Sequence, residues 1–126
     1  MHSHFILLAH GSRDKRWCQT LEEGLEVMQH SLTRPVSLAY MEMASPSLEQ
    51  VIETQYGLEC RHFTILPLFF AAGRHLLTDV PLQLQALKKQ YPDAEFVLEE
   101  PLGKQSAFWH FLAGSINHQL STKPID

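Results

Sequence analysis

The chain has 126 residues, of which 44% are hydrophobic, and a formal net charge of −4 at pH 7. This length and composition predict a single domain over residues 1–126 with one hydrophobic core. The negative charge, without a long run of like charge, excludes nucleic acid as the expected main partner, because phosphate binding favours a basic surface. No apolar run is long enough for a membrane span, and the start lacks the basic segment of a signal peptide. We therefore expect a cytoplasmic protein without a membrane partner.

Four short apolar segments predict β-strands. The first, residues 5–9, is uniformly apolar, which is typical of a strand buried on both faces. The other predicted strands are residues 36–43, 62–67 and 95–98. Cys18 and Cys60 lie far apart and in no metal-ligand spacing, so they are expected to be two thiols in a cytosolic protein.

An amphipathic helix is predicted after each strand. Apolar residues at positions 17, 21, 25, 28 and 32 predict a first helix of about 18 residues. Positions 108, 111, 112, 116 and 120 define the last helix, followed by a polar tail from Ser121 that we expect to fray. The helices between them carry apolar stripes at 48, 51, 52 and 56 and at 84, 87 and 91. Three residues are predicted to be helix N-caps, namely Ser12, Ser47 and Asp79. Pro81 is expected in the first turn of the third helix, and Gly57 is expected to end the second.

This alternation predicts an α/β fold. Strands that alternate with helices form a parallel sheet with helices on both faces. Right-handed crossovers then favour a doubly wound, four-stranded sheet in the order 2-1-3-4. Its switch point lies between strands 1 and 3, and ligands bind at such points, beyond the carboxyl ends of the strands.

Three residues that can carry chemistry are predicted at that carboxyl edge. His10 follows the first strand, Glu42 lies near the end of the second, and His75 follows the third. Two imidazoles and a carboxylate could bind a divalent metal such as Co, Fe, Ni or Zn, or transfer protons near neutral pH. For Glu42 the structural alternative is an ion pair with an arginine at the rim. We expect the remaining histidines to be surface residues or hydrogen-bonded residues without a functional role.

The same edge is predicted to be locally positive. Arg13 follows the first strand and Arg74 lies in the loop after the third, so an anionic small molecule is a plausible ligand. For Lys15 and Arg16 a solvated helix start is the favoured interpretation. Gly11-Ser12 at a helix start could bind a phosphate. However, no nucleotide-binding glycine motif is present, and Ala9 stands where His-dependent phosphatases have an arginine.

Taken together, the motifs resemble the class II tetrapyrrole chelatases, and within them the short form of the sirohydrochlorin cobaltochelatase and ferrochelatase family. The segments that carry the resemblance are LLAHGSRD at 7–14, AYMEMASPSL at 39–48, PLFFAAGRH at 67–75 with DVP at 79–81, and PLG at 101–103. Their order and spacing are more specific than any one motif, and the resemblance covers about residues 5–118. Ser45 departs from the pattern, since many relatives have an acidic residue before Pro46.

The resemblance implies a function. It implies insertion of a divalent metal, Co²⁺ first and Fe²⁺ next, into sirohydrochlorin for cobalamin or siroheme biosynthesis. His10 and His75 match the family's paired active-site histidines, and Glu42 matches their acidic partner. The metal would be a substrate, with no tightly bound cofactor. No histidine-rich loop of the kind found in some nickel-inserting relatives is present, which lowers the nickel interpretation.

Substrate contacts and assembly also follow from the resemblance. Sirohydrochlorin carries many carboxylates, and the guanidinium groups of Arg13 and Arg74 fit carboxylates bidentately. Ser12, beside Arg13, is a further expected substrate contact, and the small residues Ala71, Ala72 and Gly73 would let a flat macrocycle approach the backbone. Longer relatives contain two such modules facing one cleft, so a homodimer is expected. The alternatives are a metal or tetrapyrrole carrier without turnover, and a phosphoryl-transfer enzyme that uses His10.

Overall fold

The parallel sheet determines where the functional residues meet. The computed structural model describes residues 2–122, apart from the side chains of His2 and His75. The strands are β1 (His2–Ala9), β2 (Val36–Tyr40), β3 (Cys60–Pro67) and β4 (Glu95–Leu98), and the helices are α1 (Lys15–Gln29), α2 (Leu48–Gly57), α3 (Val80–Gln90) and α4 (Ser106–Thr122). A π-helical turn (His75–Asp79) precedes α3, and a 3-10 turn (Leu102–Lys104) precedes α4. All strand pairs are parallel and the order is β2-β1-β3-β4, so the predicted order 2-1-3-4 is confirmed.

The core is divided by the sheet into two clusters. Because successive side chains of a strand point to opposite faces, Ile6 and Leu8 of β1 face α2 and α3, whereas Leu7 and Ala9 face α1. The larger cluster also contains Leu48, Ile52, Phe63, Ile65, Val80 and Leu87. The smaller one contains Cys18, Leu38 and Tyr40. Burial on both faces accounts for the uniformly apolar sequence of the first strand.

Several predicted boundaries are wrong at the residue level. Asp14, not Ser12, is the N-cap of α1, because its carboxylate accepts a hydrogen bond from the Arg16 backbone N–H at 2.9 Å. The predicted second strand stops at Tyr40, not at residue 43, because the chain turns away through Met43, which has a φ of 62°.

The ends of the second and third helices also differ from prediction. Gly57 is still helical, and the left-handed residue is Glu59 with a φ of 69°. Asp79 precedes α3 but its side chain makes no capping hydrogen bond, since the chain is already helical there (φ −70°, ψ −44°) after the π-helical turn. Pro81 lies in the first turn of α3, as predicted.

Helix α4 differs from the other helices because none of its described residues is buried. Trp109, Ile116 and Leu120 are 49%, 50% and 67% exposed. Together with Ala113 they follow the spacing of one helix face, so α4 presents a largely exposed apolar stripe. The predicted frayed tail is helical at Ser121 and Thr122, and the rest of it lies outside the described residues. Within residues 2–122, no helix is long and apolar enough to cross a membrane.

A polar cluster ties α2, β3 and the loop before β4 together at the opposite end of the sheet. The Tyr56 hydroxyl donates to Asp93 at 2.7 Å, and Arg61 Nε lies 3.2 Å from the same carboxylate. The Arg61 guanidinium also stacks on the Tyr56 ring, 3.6 Å from its centroid. The hydrogen bond from Tyr56 holds the pKa of Asp93 below its ordinary value of 3.8. Asp93 therefore stabilises the fold only while it is ionised.

Replacing Asp93 by Asn should lower the melting temperature at pH 7. Because the folded-state pKa is depressed, the stabilisation is fully present above the ordinary carboxyl pKa of about 4 and is lost as the pH falls through the lower folded value. Thermal melts of wild type and Asp93→Asn from pH 7 to pH 2.5 should therefore converge at the acid end. Glu53→Gln, on the exposed surface of α2, is the control. A difference that stays constant over this range would contradict the assignment.

Candidate active site

An imidazole and a carboxylate meet at the carboxyl edge of β1 and β2. His10 directly follows β1, and Glu42 lies two residues beyond the end of β2. His10 Nε2 is 3.1 Å from Glu42 Oε1, and the two side chains are 40% and 47% exposed. The backbones meet as well, because the Glu42 N–H donates to the His10 carbonyl at 3.1 Å. The pair is therefore held by the main chain and remains open to solvent.

The hydrogen-bond chemistry of the His10 ring limits its states. Nδ1 lies 3.3 Å from the Gly11 carbonyl oxygen, while Nε2 faces the Glu42 carboxylate. Both neighbours are acceptors, and a neutral imidazole has only one N–H to donate. A neutral ring with its hydrogen on Nε2 donates to Glu42, whereas the tautomer with its hydrogen on Nδ1 leaves two electron-rich atoms facing each other across 3.1 Å. In the second tautomer a proton or a cation between the two atoms would satisfy the contact, which is the chemistry of an acid–base or metal site.

Gly11 makes this arrangement possible. Its φ is +104°, a conformation that residues with a side chain rarely adopt. A Cβ at this position would lie 1.8 Å from the Glu42 carbonyl oxygen. Only glycine therefore allows the loop after β1 to approach the segment that carries Glu42.

A cavity of about 390 Å³ lies beside His10. Its walls come mainly from the loop after β3, and they are Leu68, Phe69, Phe70, Ala71, Gly73, Arg74 and Leu76. The lining is largely apolar, with the imidazole and the exposed Arg74 as its polar groups. A cavity of this kind suits a flat apolar ligand that carries an anionic group.

His75 begins the π-helical turn that follows this loop, and its side chain lies outside the described residues. The turn is closed against the loop, since the Leu77 N–H donates to the Gly73 carbonyl at 2.9 Å. Turns of π-helical geometry occur frequently at functional sites. The backbones of His10 and His75 therefore follow adjacent strands, β1 and β3, at one edge of the sheet.

The other predicted substrate contacts are distributed over different places. Ser12 and Arg13 line a separate hollow of about 640 Å³, together with Lys15 and Met43. The Ser12 hydroxyl there accepts a hydrogen bond from the Asp14 N–H at 3.0 Å. Of the small residues, Gly73 lines the cavity beside His10, whereas Ala72 packs against the larger core cluster.

Two features of the site were not predicted. The first is the role of Phe69 and Phe70 as cavity walls. The second is Gly103, whose N–H donates to the Phe69 carbonyl at 3.0 Å. A Cβ on Gly103 would lie 1.7 Å from the Phe70 carbonyl oxygen. The Pro-Leu-Gly turn was a visible signal, but its contact across β3 and β4 is not apparent from spacing.

Among the described side chains, no three His, Cys, Asp or Glu residues gather into a metal-binding group. His10 and Glu42 supply two potential ligands at 3.1 Å from each other. Such a pair leaves most coordination positions of a divalent ion open. Open positions suit the transfer of an ion better than its storage.

The doubly wound parallel sheet, with an imidazole–carboxylate pair at its carboxyl edge, defines an α/β protein whose candidate site lies at that edge. Comparison with known proteins assigns the family. The chain belongs to the CbiX family, whose sequence model matches residues 4–119.

Relatives with assigned names support the same family. The chain is 27% identical over 113 residues to the sirohydrochlorin ferrochelatase of Priestia megaterium, covering 89% of this chain and 42% of that protein. It is 26% identical over 98 residues to the sirohydrochlorin cobaltochelatase of Sulfolobus acidocaldarius, covering 78% and 76%. The chain thus spans about half of the length of the ferrochelatases it matches, 42% and 52% in two of them.

A crystal structure of similar size has the same fold. The CbiX protein of Marinobacter aquaeolei VT8, described as a cobalamin (vitamin B12) biosynthesis protein, is 37% identical and superposes with a TM-score of 0.84. The match covers 97% of this chain and 100% of that one. The predicted chelatase-like fold is therefore confirmed over nearly the whole chain.

Replacing Gly11 by Ala should destabilise the protein and separate His10 from Glu42. The left-handed backbone alone costs about 1–3 kcal/mol when a Cβ is present, and the contact with the Glu42 carbonyl adds to this. Urea denaturation should show a lower midpoint for Gly11→Ala. Gly24→Ala is the matched control, because Gly24 lies within α1 with open space around its Cα. The free energy of unfolding of Gly24→Ala should rise by about 0.5–1 kcal/mol. Equal denaturation midpoints for the two variants would contradict the proposed constraint at Gly11.

Proposed function

We propose that this chain is a sirohydrochlorin chelatase that inserts a divalent metal, Co²⁺ first and Fe²⁺ next, into the tetrapyrrole for cobalamin or siroheme biosynthesis. The observation that carries the proposal is the contact of His10 with Glu42 beside the 390 Å³ cavity, in a chain of the CbiX family. The names of the ferrochelatase and cobaltochelatase relatives support the same reaction. The metal is a substrate in this proposal, and the protein needs no resident cofactor.

The chemistry of metallation matches what this pair can do. One M²⁺ ion replaces two pyrrole N–H protons, so the products are the metallated macrocycle and two protons. A neutral His10 imidazole can bind the incoming ion or accept one of these protons, and the Glu42 carboxylate can do the same. Both side chains are about half exposed, which lets the protons pass on to solvent. His75, which begins the adjacent turn, is proposed as the second imidazole of the site.

The cavity and its surroundings suit the macrocycle. Apolar walls from the loop after β3 can face the flat ring, and Arg74 at the rim can bind a carboxylate. The neighbouring hollow that contains Arg13 offers a second cation for another carboxylate. In this arrangement Ser12 and Arg13 act at the periphery, because they line a hollow other than the one beside His10.

Replacing His10 or His75 by Ala should slow metallation by about 10²–10⁴-fold, the range expected when a general base or a ligand is removed. Glu42→Gln should also slow the reaction, because the amide cannot accept a proton. The assay follows the absorption spectrum of sirohydrochlorin with Co²⁺ and, separately, with Fe²⁺. His30→Ala, on the exposed surface at the end of α1, should retain wild-type activity.

The same assay distinguishes the alternatives. If wild type metallates sirohydrochlorin no faster than the protein-free reaction does, the protein is not a chelatase. A metal or tetrapyrrole carrier would then be the remaining function. Wild-type rates for His10→Ala and His75→Ala would remove the imidazoles from the mechanism. A higher rate with Co²⁺ than with Fe²⁺ would support the proposed order of metals.

We also propose that the protein is a homodimer in which α4 contributes to the interface. The apolar stripe of Trp109, Ile116 and Leu120 is 49%, 50% and 67% exposed. The sheet offers a further apolar surface, because Phe5 and Val97 are 37% and 40% exposed on the face that carries α1. A specific interface buries about 800 Å² on each partner, and the stripe together with these two side chains would supply part of its apolar area.

Acidic substitutions in the stripe should dissociate this dimer. The double variant Ile116→Glu and Leu120→Glu would place two charges in the proposed interface, which is unfavourable without partners. Light scattering coupled to size exclusion at micromolar concentration should report a dimer for wild type and a monomer for the variant. Leu58→Glu, exposed after α2, should remain a dimer. A monomeric wild type, or a dimeric double variant, would contradict the proposal.

A cytoplasmic location is part of the proposal. Both cysteines are thiols and not a disulfide. The Cys18 thiol donates to the Ser12 carbonyl, and the Cys60 thiol to the His62 carbonyl. Thiols persist in reducing compartments, which supports this location.

A further inference from the structure

Phe70 combines two properties that are rarely found together. Its side chain is 69% exposed, although it is a large aromatic group in the wall of the cavity beside His10. Its backbone, in contrast, is closely held by the turn before α4. An exposed aromatic side chain contributes little to the core of its own domain, so a rigid support for it indicates contact with something else.

The backbone support comes from Gly103. Its Cα lies so close to the Phe70 carbonyl that a Cβ would be 1.7 Å from that oxygen, and its N–H donates to the Phe69 carbonyl at 3.0 Å. Gly103 is in turn held by α4, since the Trp109 indole N–H donates to the Gly103 carbonyl at 2.6 Å. The turn after β4 therefore fixes the backbone of the loop after β3.

The ring of Phe70 is also supported. Its centroid lies 5.8 Å from that of Phe108, with the planes inclined by 56°. Phe108 packs edge-on against Trp109 at 5.1 Å. These are the separations of favourable aromatic pairs, so helix α4 limits the orientation of the Phe70 ring while leaving most of its surface accessible.

We propose that Phe70 is a substrate-binding residue that stacks on the tetrapyrrole ring in the cavity beside His10. The inference rests on the proposed function, in that the ligand is a flat aromatic macrocycle. Arg74 in the same cavity wall can hold a carboxylate at the edge of such a ring. Phe70 supplies an apolar surface for the ring itself, and the contact forms equally with the metal-free and the metallated macrocycle. It therefore contributes binding and not the chemical step.

The test uses metal-free sirohydrochlorin as the probe, followed by its metallation with Co²⁺. Phe70→Ala should weaken binding of the metal-free macrocycle, measured by fluorescence titration, by about tenfold, the size of one stacking contact. The KM for sirohydrochlorin should rise by the same factor, while kcat changes less than about twofold because uniform binding is lost. Phe70→Tyr keeps the ring and should restore both constants. The KM for Co²⁺ should not change.

A matched control is available on α4. Phe111 is 70% exposed, the same residue type at the same exposure, and it is not in the cavity wall. Phe111→Ala should bind and metallate the macrocycle as wild type does. Phe111→Ala and Phe70→Tyr should keep the wild-type melting temperature, whereas Phe70→Ala loses one aromatic contact, with Phe108, and should lower it only slightly.

The outcomes separate this inference from the proposed function. If wild type binds the macrocycle but does not metallate it, the proposed chelatase activity is wrong. The binding titrations would still test whether Phe70 stacks on the macrocycle. Unchanged binding by Phe70→Ala would overturn the inference while the enzyme stands. A loss of kcat at unchanged KM would also overturn it, since that result indicates a role in the chemical step.

Discussion

The contact between the Gly11 backbone and the Glu42 carbonyl is the constraint on which the site depends. The loop after β1 and the segment after β2 can touch only because Gly11 has no Cβ and adopts a φ of +104°. The parallel pairing of β1 with β2 brings these segments to one edge, and the missing side chain lets them close. The 3.1 Å contact of His10 with Glu42 follows from that approach.

A second close approach of the same kind occurs on the other half of the sheet. Gly103, after β4, lies against the Phe70 carbonyl after β3. Two glycine contacts thus hold the loops at the carboxyl edge, one on each side of the switch point between β1 and β3. The side chains of the candidate site are exposed here, but the backbones that carry them are held by these contacts. This is the pre-organisation that a site requires, since it limits the reorganisation needed on binding.

Much of the fold was predictable because the signals are local. Hydrophobic periodicity and alternation along the chain predicted four strands and four helices, and right-handed crossovers limited the possible strand orders, among which 2-1-3-4 was the one predicted. The errors lie where individual contacts and backbone angles decide. β2 ends at Tyr40 because the chain turns away through Met43 at a φ of 62°, and Asp14 takes the cap that Ser12 was predicted to hold. Competition between neighbouring polar groups for one set of N–H donors does not appear in periodicity.

By itself, the sequence determined that His10, Glu42 and His75 belong to one edge of a parallel sheet, because residues that follow parallel strands share that edge. Only the tertiary structure decided that His10 and Glu42 touch, that Arg13 and Arg74 line different hollows, and that α4 leaves its apolar stripe uncovered. The physical reason is the distance along the chain between the residues that interact. Strand and helix patterns depend on neighbours a few residues away, whereas a contact between loops depends on backbone separations of a few ångströms across the sheet.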